Sequence, residues 1–373
     1  MDGTIAYSVI GAALLAVCMS AVRAVRLYRT VTCGRNVLPA GKKFHRIKLF
    51  LIRGIPSSTG TFFDKTTPAV LHSVLVLSFI LMAADFILTL TAQVIPAIHG
   101  GGLSAALANA NAALAAAAIP AAAIFILRRL SGRVSRFNAL SGKQKCDAYT
   151  ILILEILSAG TFLTYHFSRG YWGLAHYTIM AFFLLYITFS KHLHIFSALP
   201  YMIMSAGKKA FSPPGVPAVT AAIDTMEGRT TETTAQDMIM GARDCSDLPG
   251  TCIAASLACT ECGRCDQACP VNMLPGQQLS PRNIMASVRI ASMDGKCAKH
   301  LYPHYVTHTE AFSCISCGAC AQACPIGIDP LAVLLEIRRY ATLEEGSAPA
   351  EYVLAGQATV SSGNPWGFTG EET

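Results

Sequence analysis

Apolar residues fall along this chain in five long runs, at about residues 5–22, 69–98, 103–127, 149–167 and 173–199. A helix needs about 20 mainly apolar residues to cross a bilayer, so the pattern predicts five membrane-spanning helices. The third run is rich in alanine, which predicts close helix packing, and it carries Pro120, where a kink is expected. The pattern changes after the fifth run. Residues 205–255 hold no long apolar stretch; Pro213, Pro214, Pro217 and a threonine-rich patch predict a connector with short helices along the membrane surface. Residues 331–340 space their apolar positions as an amphipathic helix, and 285–289 also read as helical.

Composition agrees. The 373 residues are 53% hydrophobic and 14% charged, with mean hydropathy +0.45, which fits a membrane protein in contact with lipid. The net charge of +7 raises the question of nucleic acid, but its placement excludes that reading. Arg23, Arg26 and Arg29 follow the first run without a basic segment before it, so the run is an uncleaved anchor. Arg35, Lys42, Lys43, Arg46, Lys48, Arg53 and Lys65 face one acid, Asp64, before the second; Gly100, Gly101 and Gly102 make an uncharged turn after it. Arg128, Arg129, Arg133, Arg136, Lys143 and Lys145 follow the third, and Lys208 and Lys209 the fifth. Basic loops stay on the cytoplasmic side. The expected placement is therefore a multi-pass protein of the inner (cytoplasmic) membrane, N-terminus outside. Residues 165–177, with Trp172, read as an aromatic belt at the interface.

The strongest chemical signal is two cysteine runs: Cys259, Cys262, Cys265, Cys269-Pro270 and Cys314, Cys317, Cys320, Cys324-Pro325. Each has the spacing that wraps thiolates around a [4Fe–4S] cube, the fourth cysteine ligating the other cluster. The expected sets are Cys259, Cys262, Cys265 and Cys324 for one cluster, and Cys314, Cys317, Cys320 and Cys269 for the other. A pair of zinc sites is the bland alternative, disfavoured by two complete runs each followed by proline. Clusters need reduced thiols, which places this region in the cytoplasm, in agreement with the charge pattern. Cys18, Cys33, Cys146, Cys245, Cys252 and Cys297 lie outside cluster spacing and read as structural.

Histidines in the spans give a second signal. His72 opens the second run, and His176 and His194 stand eighteen residues apart in the fifth. That is five turns of a continuous helix at about 3.6 residues per turn, so both would share one face. His72 and His194 share a leaflet and could ligate a b-type haem; no Cys-x-x-Cys-His occurs for covalent attachment. Asp85, His166 and His176 gather at the opposite leaflet. A carboxylate inside a span is a functional candidate by default. Either His176 binds a second haem with Met82 or His166, or the three serve quinone chemistry, which needs proton donors and acceptors. Glu155, eleven residues before His166, is either a proton carrier or a satisfied buried acid.

Lys191 and the run His194-Ile195-Phe196-Ser197-Ala198-Leu199-Pro200 resemble the end of the fifth helix in the membrane gamma subunit of respiratory nitrate reductase, and a similar motif in the cytochrome b subunit of membrane-bound heterodisulfide reductase. Both are five-helix subunits. The resemblance implies haem ligation by His72 and His194. It leaves the second haem open, because Met82 stands where that family has another histidine. Residues 257–343 resemble the small two-cluster subunit of heterodisulfide reductase, through 258–265, Leu279-Ser280-Pro281-Arg282 and Cys324-Pro325-Ile326-Gly327-Ile328-Asp329-Pro330. That implies an all-helical ferredoxin fold, related to the cluster end of the succinate dehydrogenase iron–sulfur subunit. Ser280 and Asp329 are candidate caps for the helices that follow. Gly363-Asn364-Pro365-Trp366-Gly367 is similar to a stretch that leads into cysteine-rich CCG domains in longer relatives. With no such domain before Thr373, the catalytic module is expected on another chain.

The expected fold is all-α: a five-helix transmembrane cytochrome b bundle (1–204), a linker (205–256), an all-helical two-[4Fe–4S] ferredoxin domain (257–345) and a partner-docking tail (346–373). The expected function is a membrane electron-transfer subunit. It would pass electrons between a cytoplasmic redox subunit (CCG-domain, flavoprotein or hydrogenase type) and the quinone pool, through two clusters and one or two b haems. The alternatives are a quinol-oxidising subunit feeding a heterodisulfide reductase-like partner, and a redox-sensing membrane anchor.

Overall fold

The computed structural model describes residues 3–35, 66–94, 102–138, 140–168, 170–205, 223–224, 226–228, 240–276, 279–293 and 300–368. Among these residues the fold is helical, without strands; one isolated bridge pairs Arg35 with Pro249. The chain divides into two compact units. One holds Met1–Tyr28, Ile52–Pro200 and Thr260–Gly263, the other Arg29–Leu51, Tyr201–Cys259 and Arg264–Thr373.

In the first unit the long helices are α1 (Gly3–Thr32), α2 (Thr66–Val94), α3 (Gly102–Leu130), α4 (Gly142–Ser168) and α5 (Trp172–Phe189). Helix α2 packs on α3, α3 on α4 and α4 on α5. The alanines expected to allow close approach do so: Ala112, Ala115, Ala118, Ala121 and Ala122 are all buried, and α3 runs uninterrupted past Pro120. The core adds Phe79, Met82, Phe86, Phe162, Met180, Phe183 and Ile187. Large apolar side chains also cover the outside, including Ile80 at 51% exposed and Leu127 at 63%. Such a surface suits hydrocarbon, where helices satisfy their own backbone groups. Among the described residues four helices are long and apolar enough to cross a membrane: Pro68–Thr89, Ala106–Leu130, Gly142–Ser168 and Trp172–Phe189. Helix α1 is not one of the four.

The fifth apolar run is not one helix. Helix α5 ends at Phe189, Ser190 is extended (φ −100°, ψ 174°), a 3-10 turn covers Lys191–Leu193, and α6 begins at His194 (His194–Ser205). Ser190 Oγ accepts from the His192 N–H at 3.0 Å and stabilises the break. The five-turn phase expected between His176 and His194 therefore does not exist.

The second unit packs α7 (Gly250–Ala258), α8 (Arg264–Ala268), α9 (Pro281–Met293), α10 (His308–Ser313), α11 (Ala319–Gln322), α12 (Pro330–Leu343) and α13 (Ala350–Ser362). Helix α7, most of which the absence of a long apolar run placed in the linker, is buried along nearly its whole length and belongs to this core with Leu279, Ile284, Met285, Val288, Val333, Leu334 and Ile337. The rest of the linker lies largely outside the described residues. The expected caps are present: Ser280 Oγ accepts from Asn283 N at 3.2 Å, and Asp329 Oδ1 from Leu331 N at 3.0 Å. Thr307 and Glu310 form a reciprocal capping box on α10.

Cys33, Gly34 and Arg35, read as part of a basic topology loop, belong to this unit. Arg35 N donates to Leu248 O at 2.9 Å, and Gly250 N donates to Arg35 O at 3.0 Å. A side chain on Gly34 would meet Gly250 Cα at 2.8 Å, so only glycine fits. The Arg35 guanidinium reaches Glu336 Oε2 at 2.6 Å, with both side chains buried; Arg339 binds the other oxygen.

Candidate functional site

The two cysteine runs share a local backbone. In each, the residue before the second cysteine is left-handed without being glycine: Glu261 (φ 55°) and Ser316 (φ 59°). The residue after it is a left-handed glycine, Gly263 (φ 75°) and Gly318 (φ 69°). A side chain there would be strained, which explains the repeated Cys-Gly pairs. This turn points backbone N–H groups inward: Ser316 N donates to Cys314 Sγ at 3.4 Å. Hydrogen bonds to cluster sulfurs tune reduction potential.

Helices α8 and α11, which carry Cys265 and Cys320, pack against one another. A small pocket opens beside them, lined by Cys314, Cys317, Cys320 and Cys269, with Val271, Leu279, Leu331 and Leu334 among its apolar walls. Three cysteines of the second run thus face one from the first, in an apolar pocket. Among the described residues no three His, Cys, Asp or Glu side chains are gathered tightly enough for a single ion. None of the thirteen described cysteines is in a disulfide; Cys297 lies outside the described residues. Cys259, Cys265 and Cys324 are half-buried, and Cys262 is exposed. Burial pushes the Cys320 thiol up to about 12, with the Asp329 and Cys314 charges adding to it. Burial also raises Cys314, while the Ser316 N–H and Arg338 pull the other way. Such thiols release protons when they take up iron.

Three side chains that the sequence pattern did not single out hold these loops. Arg338 donates from Nε to Ala311 O at 2.6 Å, from Nη1 to Ser316 Oγ at 3.0 Å, and from Nη2 to Cys314 O. Arg289 donates to Cys259 O at 3.1 Å. Tyr201, beside Cys324, donates to Gly327 O at 2.9 Å, and burial raises its phenol above the usual range. Asp266 accepts from Arg282 N at 2.9 Å and Ser280 Oγ at 3.0 Å, tying the first run to the start of α9.

In the first unit, Phe79 meets Phe183 at 5.2 Å and Phe86 meets Tyr177 at 6.1 Å, so α2 and α5 run antiparallel. Continuing that register brings His72 level with Ser190, just before His192 and His194. The His192 and His194 rings lie 5.7 Å apart, and His192 Nε2 is 3.9 Å from Asp147. His176 is fully buried. Its Nδ1 donates to Ser158 O at 3.1 Å, which leaves the buried Nε2 without a hydrogen-bond partner. Second-side hydrogen bonds of this kind orient metal-binding imidazoles. The Phe162 ring stacks on His166 (6.0 Å) and sits edge-on to His176 (5.3 Å), so the structure brings these two histidines together. Asp85 precedes Phe86 and lies on the same level, half-buried.

Residues 258–329, which span all eight cysteines of the two runs, match the family of 4Fe-4S dicluster domains. A probable membrane-anchored ferredoxin of Chromohalobacter salexigens is 26% identical over 171 residues, covering 38% of this chain and 25% of its own. A probable iron-sulfur-binding oxidoreductase of Bacillus subtilis is 24% identical over 172 residues (35% and 24%). The EtfAB:quinone oxidoreductase of Syntrophomonas wolfei is 25% identical over 140 residues (30% and 20%). The chain thus spans about a quarter or less of the length of these relatives. No solved structure matches significantly. The protein is a membrane protein with an iron–sulfur dicluster region.

Proposed function

We infer that this protein is a membrane electron-transfer subunit. Two [4Fe–4S] clusters, ligated in the crossed sets above, pass single electrons between a redox partner on the cytoplasmic side and quinone in the bilayer. The observation that carries this reading is the cavity that Cys269 shares with Cys314, Cys317 and Cys320, in a chain whose other unit has the helices of a membrane protein. Crossed ligation places two clusters side by side, and that arrangement serves conduction. One relative bears the name of a quinone oxidoreductase, which supports quinone as the membrane carrier. A b haem, held by His72 and His194, would extend the electron path into the bilayer; His176, with its oriented ring and bare Nε2, suits an iron or a quinone oxygen. The charge pattern supports an N-terminus outside and clusters inside.

The residues of the chain do the rest. Apolar walls keep water from the second cluster, Arg338 and Arg289 fix the loops, and Asp85, His166 and His176 supply groups that exchange protons with quinone. The test uses the full chain in lipid nanodiscs under anaerobic conditions, its clusters reduced with dithionite and the excess removed. Duroquinone should reoxidise them, as seen by loss of the cluster paramagnetic signal. Clusters that stay reduced in the presence of duroquinone overturn the reading.

A further inference from the structure

Among the described residues of the first unit, four buried side chains hold polar atoms without a hydrogen-bond partner: Ser78 Oγ, Glu155 Oε1, His176 Nε2, and both side-chain polar atoms of Asn111. Ser78, Asn111 and His176 are 0% exposed and Glu155 is 5%. Buried polar groups are nearly always paired, so each exception needs a reason. These four come from four different helices, α2, α3, α4 and α5.

Their levels follow from contacts between the helices. The pairing of Phe79 with Phe183 sets Ser78 toward the end of the unit where Asp147 meets Tyr186 and His192. Glu155 stands eight residues further along α4 than Asp147, about 12 Å at 1.5 Å per residue. His176 binds Ser158, one turn beyond Glu155 on the same buried face, and Ser158 Oγ donates back to Glu155 O at 3.0 Å. Asp85 is on the His176 level. Arg129 donates to Ala148 O, which sets the register of α3 on α4 and brings Asn111 level with His166. By level along the bundle the unpartnered groups therefore follow in file: Ser78, then Glu155, then His176, then Asn111. It begins near a polar mouth of Asp147, Tyr186 and His192, passes Asp85 and Tyr177 at the His176 level, and ends at the level of His166 and Tyr165.

We propose that Glu155 is the internal proton carrier of this file, passing protons between the Asp147 mouth and quinone at the Asp85–His166–His176 end. This rests on the quinone reading. Reduction of a quinone to quinol takes two electrons, delivered singly by the clusters, and two protons; oxidation returns both. The file supplies or removes one of those protons. Glu155 suits this work because an unpaired charge inside a span is costly, so its carboxyl rests neutral and holds a proton to give. Among the described residues Glu155 has no ion-pair partner, whereas Asp147 has His192 beside it.

The test compares wild type, Glu155→Gln and the exposed control Glu351→Gln, each as the full chain in nanodiscs with equal iron content and thermal stability. In redox-induced infrared difference spectra, wild type and Glu351→Gln should show a carboxylic-acid C=O band that shifts in heavy water, and Glu155→Gln should lack it. Cluster reduction by duroquinol should be slowed roughly a hundredfold in Glu155→Gln, with reduction by dithionite unchanged. The band surviving in Glu155→Gln, or duroquinol reducing all three chains equally, overturns the proposal. If duroquinol reduces no chain while the band appears and depends on Glu155, the quinone reading fails and the proton carrier stands. With no band in wild type, the proton carrier fails whatever duroquinol does.

Discussion

Arg338 grips two acceptors in the second cysteine run and Ala311 O just before it, whereas Arg289 grips one in the first. The second cluster loop thus depends on one guanidinium fork. Arg338→Lys keeps the charge but not the fork, and the expected outcome is that chelator strips the second cluster first, read by iron analysis and paramagnetic resonance. Cys269→Ser is the sharper test of ligation. It should damage the cluster held by Cys314, Cys317 and Cys320 and spare the one held by its own run; the opposite loss refutes crossed ligation. The cysteines were legible because their spacing is local. Arg338, Arg289 and Tyr201 were not, because a side chain bonded to a backbone carbonyl more than twenty residues away leaves no local pattern. The repeated Cys-Gly pairs at Gly263 and Gly318 were a signal of the left-handed turns that the spacing alone did not use.

At the scale of elements, two departures have physical causes. The fifth apolar run was read as one helix because hydropathy does not register a break that Ser190 makes with its own side chain. The proposed haem ligation by His194 therefore rests on level, not on helical phase. His72→Ala and His194→Ala should each abolish a low-spin haem spectrum in the purified protein while His192→Ala leaves it; a normal spectrum in His194→Ala ends that assignment. The other departure is Arg35. One basic residue among many looked like a topology charge, yet it is buried against Glu336 from three hundred residues away. Breaking a buried pair costs about 3–5 kcal/mol because a bare charge is left behind. Glu336→Gln should lower the melting temperature of the cluster signal clearly. The double variant Arg35→Met with Glu336→Leu should recover most of the loss, since neither charge then stays buried without the other. A double variant no more stable than Glu336→Gln would mean that the ion pair is not what matters there.

For the whole molecule, the tail is the part that sequence described least well. Helix α13 spans Ala350–Ser362, and Gly363 ends it in the left-handed conformation. The helix was missed because its apolar positions do not form one stripe and none of its residues is buried. It is fastened through Tyr352, whose ring meets Phe312 at 5.7 Å and whose hydroxyl donates to Phe312 O at 3.3 Å. Around that point Leu354 is 63% exposed, Val360 90% and Trp366 76%. Phe312 precedes the second cysteine run by two residues and lies under the Arg338 guanidinium at 5.7 Å. A redox subunit that seats on this helix would therefore lie near the end of the second cluster loop, where an electron can enter or leave. Burial of an exposed tryptophan and leucine is the kind of contact that dominates interface energy. Since α13 buries nothing of its own, deleting residues 351–373 should leave iron content and thermal stability unchanged. The same deletion should release a redox subunit that co-purifies with the full chain in mild detergent, and Trp366→Ala should weaken its retention. If the shortened chain keeps that subunit, docking lies elsewhere; if it loses its clusters, the tail is a structural part of the dicluster unit.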